Sequence, residues 1–299
     1  MKIKTRRYYI YYAAKVLLFV IRLLPRSVSL FIADILGRLS FMLVGKYRRV
    51  AISNLDEVFS HDHEKNVRIA RDVFRNLAKN GADWIKLTSL SKKEIASLVT
   101  ESTGFQHVDK ALAEGKGVIV LGSHFGNWEL LLAYFIVKGY KGAVVGRRIY
   151  FHKYDKFITR LRNRFGTFVI YRDESPKKVL KVLKEGYVLG ILADQDVGSL
   201  EGVFVDFFER SAYTPTAPVK LAMTTGASII PAFMLRRRDN TYKMILEEPI
   251  KVDAGGDKEE KIKKYTQAWT QVLEKYVRDY PEQWVWLHSR WKTKDTDKK

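Results

Sequence analysis

The chain has 299 residues, 46% of them hydrophobic, and no cysteine, with 53 lysines and arginines against 33 aspartates and glutamates. This composition excludes a disordered protein, a disulfide framework and any thiolate chemistry, whether at a metal site or as a nucleophile. The formal net charge of +20 points to an anionic partner, which means nucleic acid, an acidic protein or a phosphate-bearing membrane surface.

The N-terminal segment favours the membrane among these partners. It contains the apolar run "YYIYYAAKVLLFVIRLLP", and no acidic residue occurs before Asp34. Basic residues precede the run: Lys2, Lys4, Arg6 and Arg7. The segment lacks the small-residue cleavage site of a secretory signal, so we expect it to be retained. Because Lys15 is costly in hydrocarbon, an interfacial helix competes with a membrane span, and a soluble core helix is the remaining alternative.

A second apolar stretch, "SVSLFIADILGRLSFMLVG", contains Asp34 and Arg38 and is predicted to form an amphipathic helix packed against the first. The sequence "KYRRVAISNLDEVF" then begins a polar helical region that continues through "EKNVRIARDVFRNLAKNGADWIKL". We therefore expect N-terminal membrane-associating helices over residues 1–45 and a separate domain over residues 46–299.

From about residue 104 the pattern alternates between strands and helices. The predicted strands are "GVIVLGS", "GAVVGR", "TFVIYR" and "YVLGILAD", and the helices between them are "NWELLLAYFIVKG", "YDKFITRLRNRFG" and "SPKKVLKVLKEG". Alternation at this spacing is typical of an α/β fold with a mixed, largely parallel central sheet flanked by helices. Ligands of such sheets bind where strands end and helices begin.

A histidine and a glutamate follow the first of these strands in "GSHFGNWEL". Positions five apart on one helix point about 140° away from each other, so the pair meets only if His124 lies outside the helix that carries Glu129. Gly126 permits such a turn. In that geometry Glu129 bonds one imidazole nitrogen and leaves the other as a general base for a substrate hydroxyl. The alternative is a helix-capping histidine and a solvent-facing glutamate.

Other segments extend the pattern around this pair. They are "NLDEVF", "HFGNWE", "LADQD", "GVFVDFF", "TPTAPVKLAMTTGASIIPAF" and, most specific of all, "PEQWVWLHSRWK". Together they resemble the bacterial lipid A biosynthesis acyltransferases, the late lauroyl or myristoyl transferases of the lysophospholipid acyltransferase superfamily. The resemblance implies a glycerol-3-phosphate acyltransferase-like fold, with residues 46–299 as the acyltransferase domain.

The resemblance also implies an activity and its partners. The expected enzyme is bound to the cytoplasmic face of the cell inner membrane and moves a fatty acyl group from acyl carrier protein to a hydroxyl of a glycolipid. His124 and Glu129 match the catalytic histidine and acidic residue of the family. This scheme needs no metal, no other cofactor and no nucleic acid.

Acyl transfer needs donors for the negative charge that develops on the carbonyl oxygen. Candidates are the backbone amides at the start of the helix after His124 and the arginines of "VVGRRIY". The resemblance matches the family's arginine to Arg147, with Arg148 as the competitor. Ordinary phosphate or solvent contact is the alternative for both arginines.

Two further groups are candidates for substrate binding. Lys156, Arg160 and Arg164 recur every four residues on one predicted helix, a stripe suited to glycolipid phosphates or to the acidic surface of acyl carrier protein. A solvated face is the alternative. Asp194 and Asp196 in "DQD" resemble divalent metal ligands, but the family resemblance assigns this segment to shaping the active site through hydrogen bonds.

Three alternatives to a lipid A acyltransferase remain open. In the first, the chain is an acyltransferase whose acceptor is another glycolipid, such as a mannosylated phosphatidylinositol. In the second, it is a non-enzymatic basic protein that binds membranes or nucleic acid. In the third, it is a metallohydrolase that uses "DQD" and His124. No nucleic-acid-binding module with interleaved aromatic and basic residues is recognisable. The tryptophans of "PEQWVWLHSRWK" fill the core or lie at the lipid interface, and core packing is expected for at least one.

Overall fold

The structure is a computed structural model that describes residues 2–59, 62–163, 166–174, 176–253 and 255–298. Its helices are α1 (Lys2–Leu23), α2 (Arg26–Leu43), α3 (Gly45–Val58), α4 (His63–Leu87), α5 (Lys92–Leu98), α6 (Phe105–Ala113), α7 (Trp128–Val137), α8 (His152–Asn163), α9 (Pro176–Lys184), α10 (Ala217–Thr225) and α11 (Lys258–Asp279). Its strands are β1 (Val99–Thr103), β2 (Val118–Gly122), β3 (Gly142–Gly146), β4 (Phe168–Tyr171), β5 (Val188–Leu192), β6 (Gly202–Asp206), β7 (Ser211–Pro215), β8 (Ser228–Arg236) and β9 (Tyr242–Leu246).

The central sheet has the strand order β1-β9-β8-β2-β5-β3-β4. Its neighbouring strands are parallel except for the hairpin of β8 and β9, and β6 and β7 form a separate antiparallel pair. The predicted α/β class and the mostly parallel sheet flanked by helices are therefore confirmed. Each predicted strand and helix between residues 117 and 194 has its counterpart from β2 to β5, whereas β1, β8 and β9 are not among the predicted strands.

The centre of the sheet is buried on both faces. Along β2, Ile119 and Leu121 belong to one hydrophobic cluster, and Val118 and Val120 belong to the cluster on the other side. Successive side chains of a strand point to opposite faces, so a continuous apolar run such as "VIVL" fits a strand covered by helices on both sides. This burial holds the carboxyl ends of β2 and β5 in a rigid frame.

The N-terminal helices are joined to the rest of the fold mainly through α4. Gly37 of α2 lies so close to α4 that a Cβ there would be 2.6 Å from the Cα of Arg75, and only glycine fits this approach. Asp34 accepts a hydrogen bond of 2.8 Å from Arg75, and Arg26 donates one of 2.6 Å to Asp83. The amphipathic α2 therefore packs along α4. It also contacts α1, as predicted: Ile21 clusters with Leu30 and Ala33, and the hydroxyl of Ser29 donates to the carbonyl of Ile21 at 3.1 Å.

The outward faces of α1 and α2 carry large apolar side chains. Among them, Phe19 is 63% exposed, and Phe31 and Met42 are each 67% exposed. Within the described residues, no single helix combines the length and hydropathy of a membrane span. Among the helices that the structure describes, only α2 and α3 taken together reach that hydropathy, and they meet at an angle of 89°.

Candidate active site

The site lies where two neighbouring strands of the sheet end. β2 and β5 are parallel partners, with Gly122 opposite Leu192. His124 follows the end of β2 by two residues, and Asp194 follows the end of β5 by the same distance. Because the two strands run in register, these residues meet at the carboxyl edge of the sheet, where open α/β sheets bind their ligands.

Asp194 holds the imidazole of His124. Its Oδ1 lies 2.8 Å from His124 Nδ1, and its Oδ2 accepts hydrogen bonds of 2.9 Å from the backbone N–H of His124 and from Nε1 of Trp284. The carboxylate is 1% exposed, whereas the imidazole is 27% exposed. An ionised carboxylate only accepts, so Nδ1 carries the proton in this contact, and Nε2 is left as the basic nitrogen.

The pair shifts the pKa of both members. Burial lowers the pKa of His124, but the charge and hydrogen bond of Asp194 outweigh it, so the pKa lies above the usual 6.5. Burial raises the pKa of Asp194. The charge of His124 and the three N–H groups that donate to the carboxylate lower it by more, so the pKa lies below its usual value. The histidine is thereby a stronger base than a free imidazole, and the carboxylate stays ionised.

Glu129 does not make the predicted contact with His124. Gly126 does form the expected turn, with φ of +55° and no room for a Cβ beside the carbonyl oxygen of Met234, and Asn127 caps α7 by accepting from Leu130 N–H at 3.0 Å. His124 therefore lies outside the helix, as predicted.

The carboxylate of Glu129 instead forms a two-point ion pair with Arg162, one bond of which measures 3.1 Å. The imidazole turns toward Asp194, which is the nearer carboxylate because β2 and β5 are neighbours. Glu129 still raises the pKa of His124, and Arg162 lowers it. The carboxylate that contacts the imidazole is thus Asp194 rather than Glu129, and Glu129 and Arg162 form a second charged pair nearby.

A cleft of about 840 Å³ opens next to His124. Arg147 lines this cleft, whereas Arg148 stacks on the ring of Tyr171 at 3.9 Å and pairs with Asp173 at 3.3 Å. Of the two arginines considered for the developing oxyanion, Arg147 is therefore the one at the cleft. Before α7 begins, the N–H groups of Gly126 and Asn127 already donate to the carbonyls of Gln283 and Met234. A role for the amides of the first turn of α7 stays a prediction.

The two members of the predicted basic stripe that the structure describes do not line the cleft. Lys156 and Arg160 are exposed on α8, and among the described residues of this helix the side chains that line the cleft include Asp155, Thr159 and Arg162. Arg164 lies outside the described residues. Binding of substrate charges by the stripe stays a prediction.

The two aspartates of "DQD" separate. Asp194 binds His124, whereas Asp196 accepts hydrogen bonds from the backbone N–H and the hydroxyl of Thr293 at 2.8 and 2.7 Å. In the described part of the chain, no group of three or more histidine, aspartate or glutamate side chains is arranged to hold a metal ion. The carboxylates are thus used in hydrogen bonds that shape the site.

The C-terminal segment packs in the core and contacts both His124 and Asp194. Trp284, Trp286 and Trp291 are 2%, 0% and 7% exposed, which confirms core packing. The backbone N–H of Val285 donates to the carbonyl of His124 at 3.0 Å, and Trp284 also binds Asp194. The spacing of residues along the chain alone does not predict these contacts of the C-terminal segment with His124 and Asp194. The signal for them is the family pattern "PEQWVW".

A histidine base held by a buried carboxylate, at the mouth of a cleft on a parallel sheet, is an arrangement suited to enzymes that deprotonate a hydroxyl. The chain matches the bacterial lipid A biosynthesis acyltransferases over residues 1–293 and belongs to this family. It is an acyltransferase.

Proteins of similar sequence also have names that describe acyl transfer. The chain is 28% identical to the lipid A biosynthesis lauroyltransferase of Escherichia coli K12, over 96% of this chain and 93% of that protein. It is 24% identical to the palmitoleoyltransferase of lipid A biosynthesis from the same organism, over 91% of this chain and 87% of that protein. It is also 28% identical to the phosphatidylinositol mannoside acyltransferase of Mycobacterium tuberculosis, over 52% of each chain.

Proposed function

We propose that the protein moves a fatty acyl chain from acyl carrier protein to a hydroxyl of a lipid A precursor, with His124 as the general base and Asp194 as the residue that orients it. The observation that carries this proposal is the 2.8 Å contact between Nδ1 of His124 and Asp194, which leaves Nε2 as the base at the cleft. Glu129 has a different role from the one first expected, because its carboxylate is committed to Arg162.

The proposed reaction passes through one tetrahedral intermediate. Nε2 takes the proton of the acceptor hydroxyl while its oxygen attacks the thioester carbonyl, and the negative charge moves to the carbonyl oxygen. Asp194 stabilises the imidazolium that forms. When the intermediate collapses, the carbon–sulfur bond breaks and the imidazolium gives its proton to the departing thiolate. The products are the ester and the free thiol of the carrier.

The cleft supplies the surroundings that this reaction needs. Its walls include apolar side chains suited to a fatty acyl chain, among them Val144, Ile158, Val179, Ile191 and Leu221. Arg147 is the proposed donor to the carbonyl oxygen, because its guanidinium belongs to the same cleft wall and Arg148 is engaged by Asp173. A cation there stabilises charge that develops only in the transition state.

We further propose that α1 and α2 attach the enzyme to the cytoplasmic face of the inner membrane. Exposed apolar side chains on both helices, such as Phe19 and Phe31, would enter the interface, while the basic residues of the chain meet anionic headgroups. Acyl carrier protein would then approach from the aqueous side, with the glycolipid held at the membrane surface.

The test is mass spectrometry of lipids after the purified protein meets acyl carrier proteins loaded with several chain lengths and a panel of hydroxyl-bearing glycolipids. A mass gain of one acyl group on a lipid A precursor is expected with the wild type and not with His124→Ala. His107→Ala is the matched control, because His107 lies on α6 and does not line the cleft. A gain only on mannosylated phosphatidylinositol would favour the second candidate, which the similarity to the mycobacterial acyltransferase suggests.

A further inference from the structure

A second cavity, of about 420 Å³, lies between α3, the turn that joins β6 to β7, and the C-terminal segment. It shares no lining residue with the cleft beside His124. The side chains that matter here are those of Arg49, Arg210, Trp291, Lys292, Lys294 and Glu57. Nothing in the proposed transfer reaction uses this cavity.

The walls of the cavity carry an excess of positive charge. Glu57 is its one lining carboxylate and is already bound to Arg210. Arg49, Lys292 and Lys294 have no carboxylate partner among the described residues. Three uncompensated cations around one concave surface raise the local concentration of anions.

A buried tryptophan lies beside these cations. Trp291 is 7% exposed, and its indole N–H has no acceptor among the residues that the structure describes. Arg210 stacks over the same ring, with its guanidinium carbon 4.7 Å from the ring centre. This cation–π contact holds the guanidinium of Arg210 against the ring at the cavity wall.

Buried hydrogen bonds hold these walls in place. The side-chain amide of Asn54, on α3, donates to the carbonyls of Trp286 and His288 at 2.8 and 2.9 Å. Thr293, which separates Lys292 from Lys294, is fixed by two hydrogen bonds to the buried Asp196. The cations therefore stand on a rigid base rather than on a flexible tail.

The position of the cavity indicates what kind of anion it takes. α3 begins at Gly45, directly after the apolar α2, and turns away from it by 89°. Arg49 lies four residues after Gly45, which places it about 6 Å along α3 from the start of that helix. Leu43 and Met42, at that end, are 79% and 67% exposed. A basic cavity thus follows an apolar face by about one helical turn.

We propose that this cavity binds the phosphate of an anionic phospholipid headgroup, with the acyl chains of that lipid against the apolar face of α2. The proposal rests on the membrane association proposed above and extends it to a specific lipid site outside the cleft. Phosphate fits because its oxygens accept from guanidinium and ammonium donors together.

The experiment compares Arg49→Gln/Lys292→Gln with a control, Lys258→Gln/Lys263→Gln, which removes two exposed charges from α11, away from the cavity. Full-length proteins are sedimented with vesicles of phosphatidylcholine alone or with added phosphatidylglycerol. We expect the cavity variant to lose roughly thirtyfold in affinity for the anionic vesicles, since each of the two cations contributes about 1 kcal/mol near the membrane surface and about 1.4 kcal/mol corresponds to a factor of ten. The control should lose less than about twofold, and binding to phosphatidylcholine should not change for either.

Equal losses in both variants, or none in the cavity variant, would overturn the proposal and leave only a general charge effect. Saturable binding of inorganic phosphate that depends on Arg49, with unchanged vesicle binding, would assign the cavity to a free anion instead. A raised KM for acyl carrier protein with unchanged vesicle binding would assign it to the carrier. Failure of the proposed function is a separate result, because it would appear as absent acyl transfer by the wild type.

Discussion

Replacing Asp194 by asparagine tests the base most directly, because the outcome follows from its three hydrogen bonds. Oδ2 accepts from two N–H groups, those of the His124 backbone and the Trp284 indole, each at 2.9 Å. In Asp194→Asn the amide oxygen must take this position, since an amide nitrogen would face two donors. The amide nitrogen then replaces Oδ1 and donates to Nδ1 of His124, which moves the imidazole proton to Nε2 and removes the base.

We expect Asp194→Asn to lower kcat by about a thousandfold to ten-thousandfold, the size of the loss when a catalytic histidine is held in the wrong tautomer. Stability should fall by about 1.5–3 kcal/mol, because the three charge-assisted hydrogen bonds of the carboxylate become weaker bonds of a neutral amide. Turnover is measured with acyl carrier protein and the accepted glycolipid, and stability by urea unfolding. Asp196→Asn is the control: it changes a buried carboxylate that binds Thr293 and not His124, so it should lose stability but keep most of its kcat.

The pH dependence gives a second reading of the same variant. The base must be neutral, and the pKa of His124 is raised above 6.5 in the folded protein, so kcat/KM of the wild type should increase with pH up to a value above 6.5. The ion pair with Asp194 contributes stability below the unfolded pKa of the histidine and loses it as pH rises through the folded pKa. The carboxylate loses its share of this stability as pH falls through the lowered pKa of Asp194. Asp194→Asn should therefore be most destabilising in mildly acidic solution, between pH ~4 and pH ~6.5, where the carboxylate is ionised and the histidine is charged. A variant that kept more than about a tenth of wild-type kcat, with the same pH profile, would refute the assignment of Asp194.

Three further sets of variants test the charged neighbours of His124 and the membrane contact of α2. Glu129→Gln and Arg162→Gln should each lower turnover, and the double variant should lose little more than either, with a coupling energy of roughly 1–3 kcal/mol measured by a double-mutant cycle; additive effects would contradict the ion pair. Arg147→Gln should lower kcat by about a hundredfold to a thousandfold, and Arg148→Gln by far less, so equal losses would count against Arg147 as the oxyanion donor. Phe31→Asp should weaken vesicle sedimentation about tenfold and leave the Tm within about 2 °C, because this side chain is 67% exposed; unchanged sedimentation would remove α2 from the membrane contact.

The carboxylate that contacts His124 is not the one that lies closer to it along the chain. Glu129 is five residues from His124, and Asp194 is seventy residues away. The turn at Gly126 and the cap at Asn127 do bring the glutamate into the first turn of α7 near the base. The imidazole nevertheless pairs with the residue that β5 delivers, because neighbouring parallel strands place their following residues side by side.

Sequence by itself determined the α/β class, the order of elements from β2 to β5 and the place of His124 after a buried strand, because these depend on hydrophobic periodicity and on local turn chemistry. It also favoured core packing for at least one tryptophan of the C-terminal segment, because of the size and apolar surface of that side chain. Only the tertiary structure decided which carboxylate holds the histidine, which arginine lines the cleft and which helix supports α2. Those choices depend on the strand order β8-β2-β5-β3 and on long-range packing, and a spacing of residues along the chain contains no information about either.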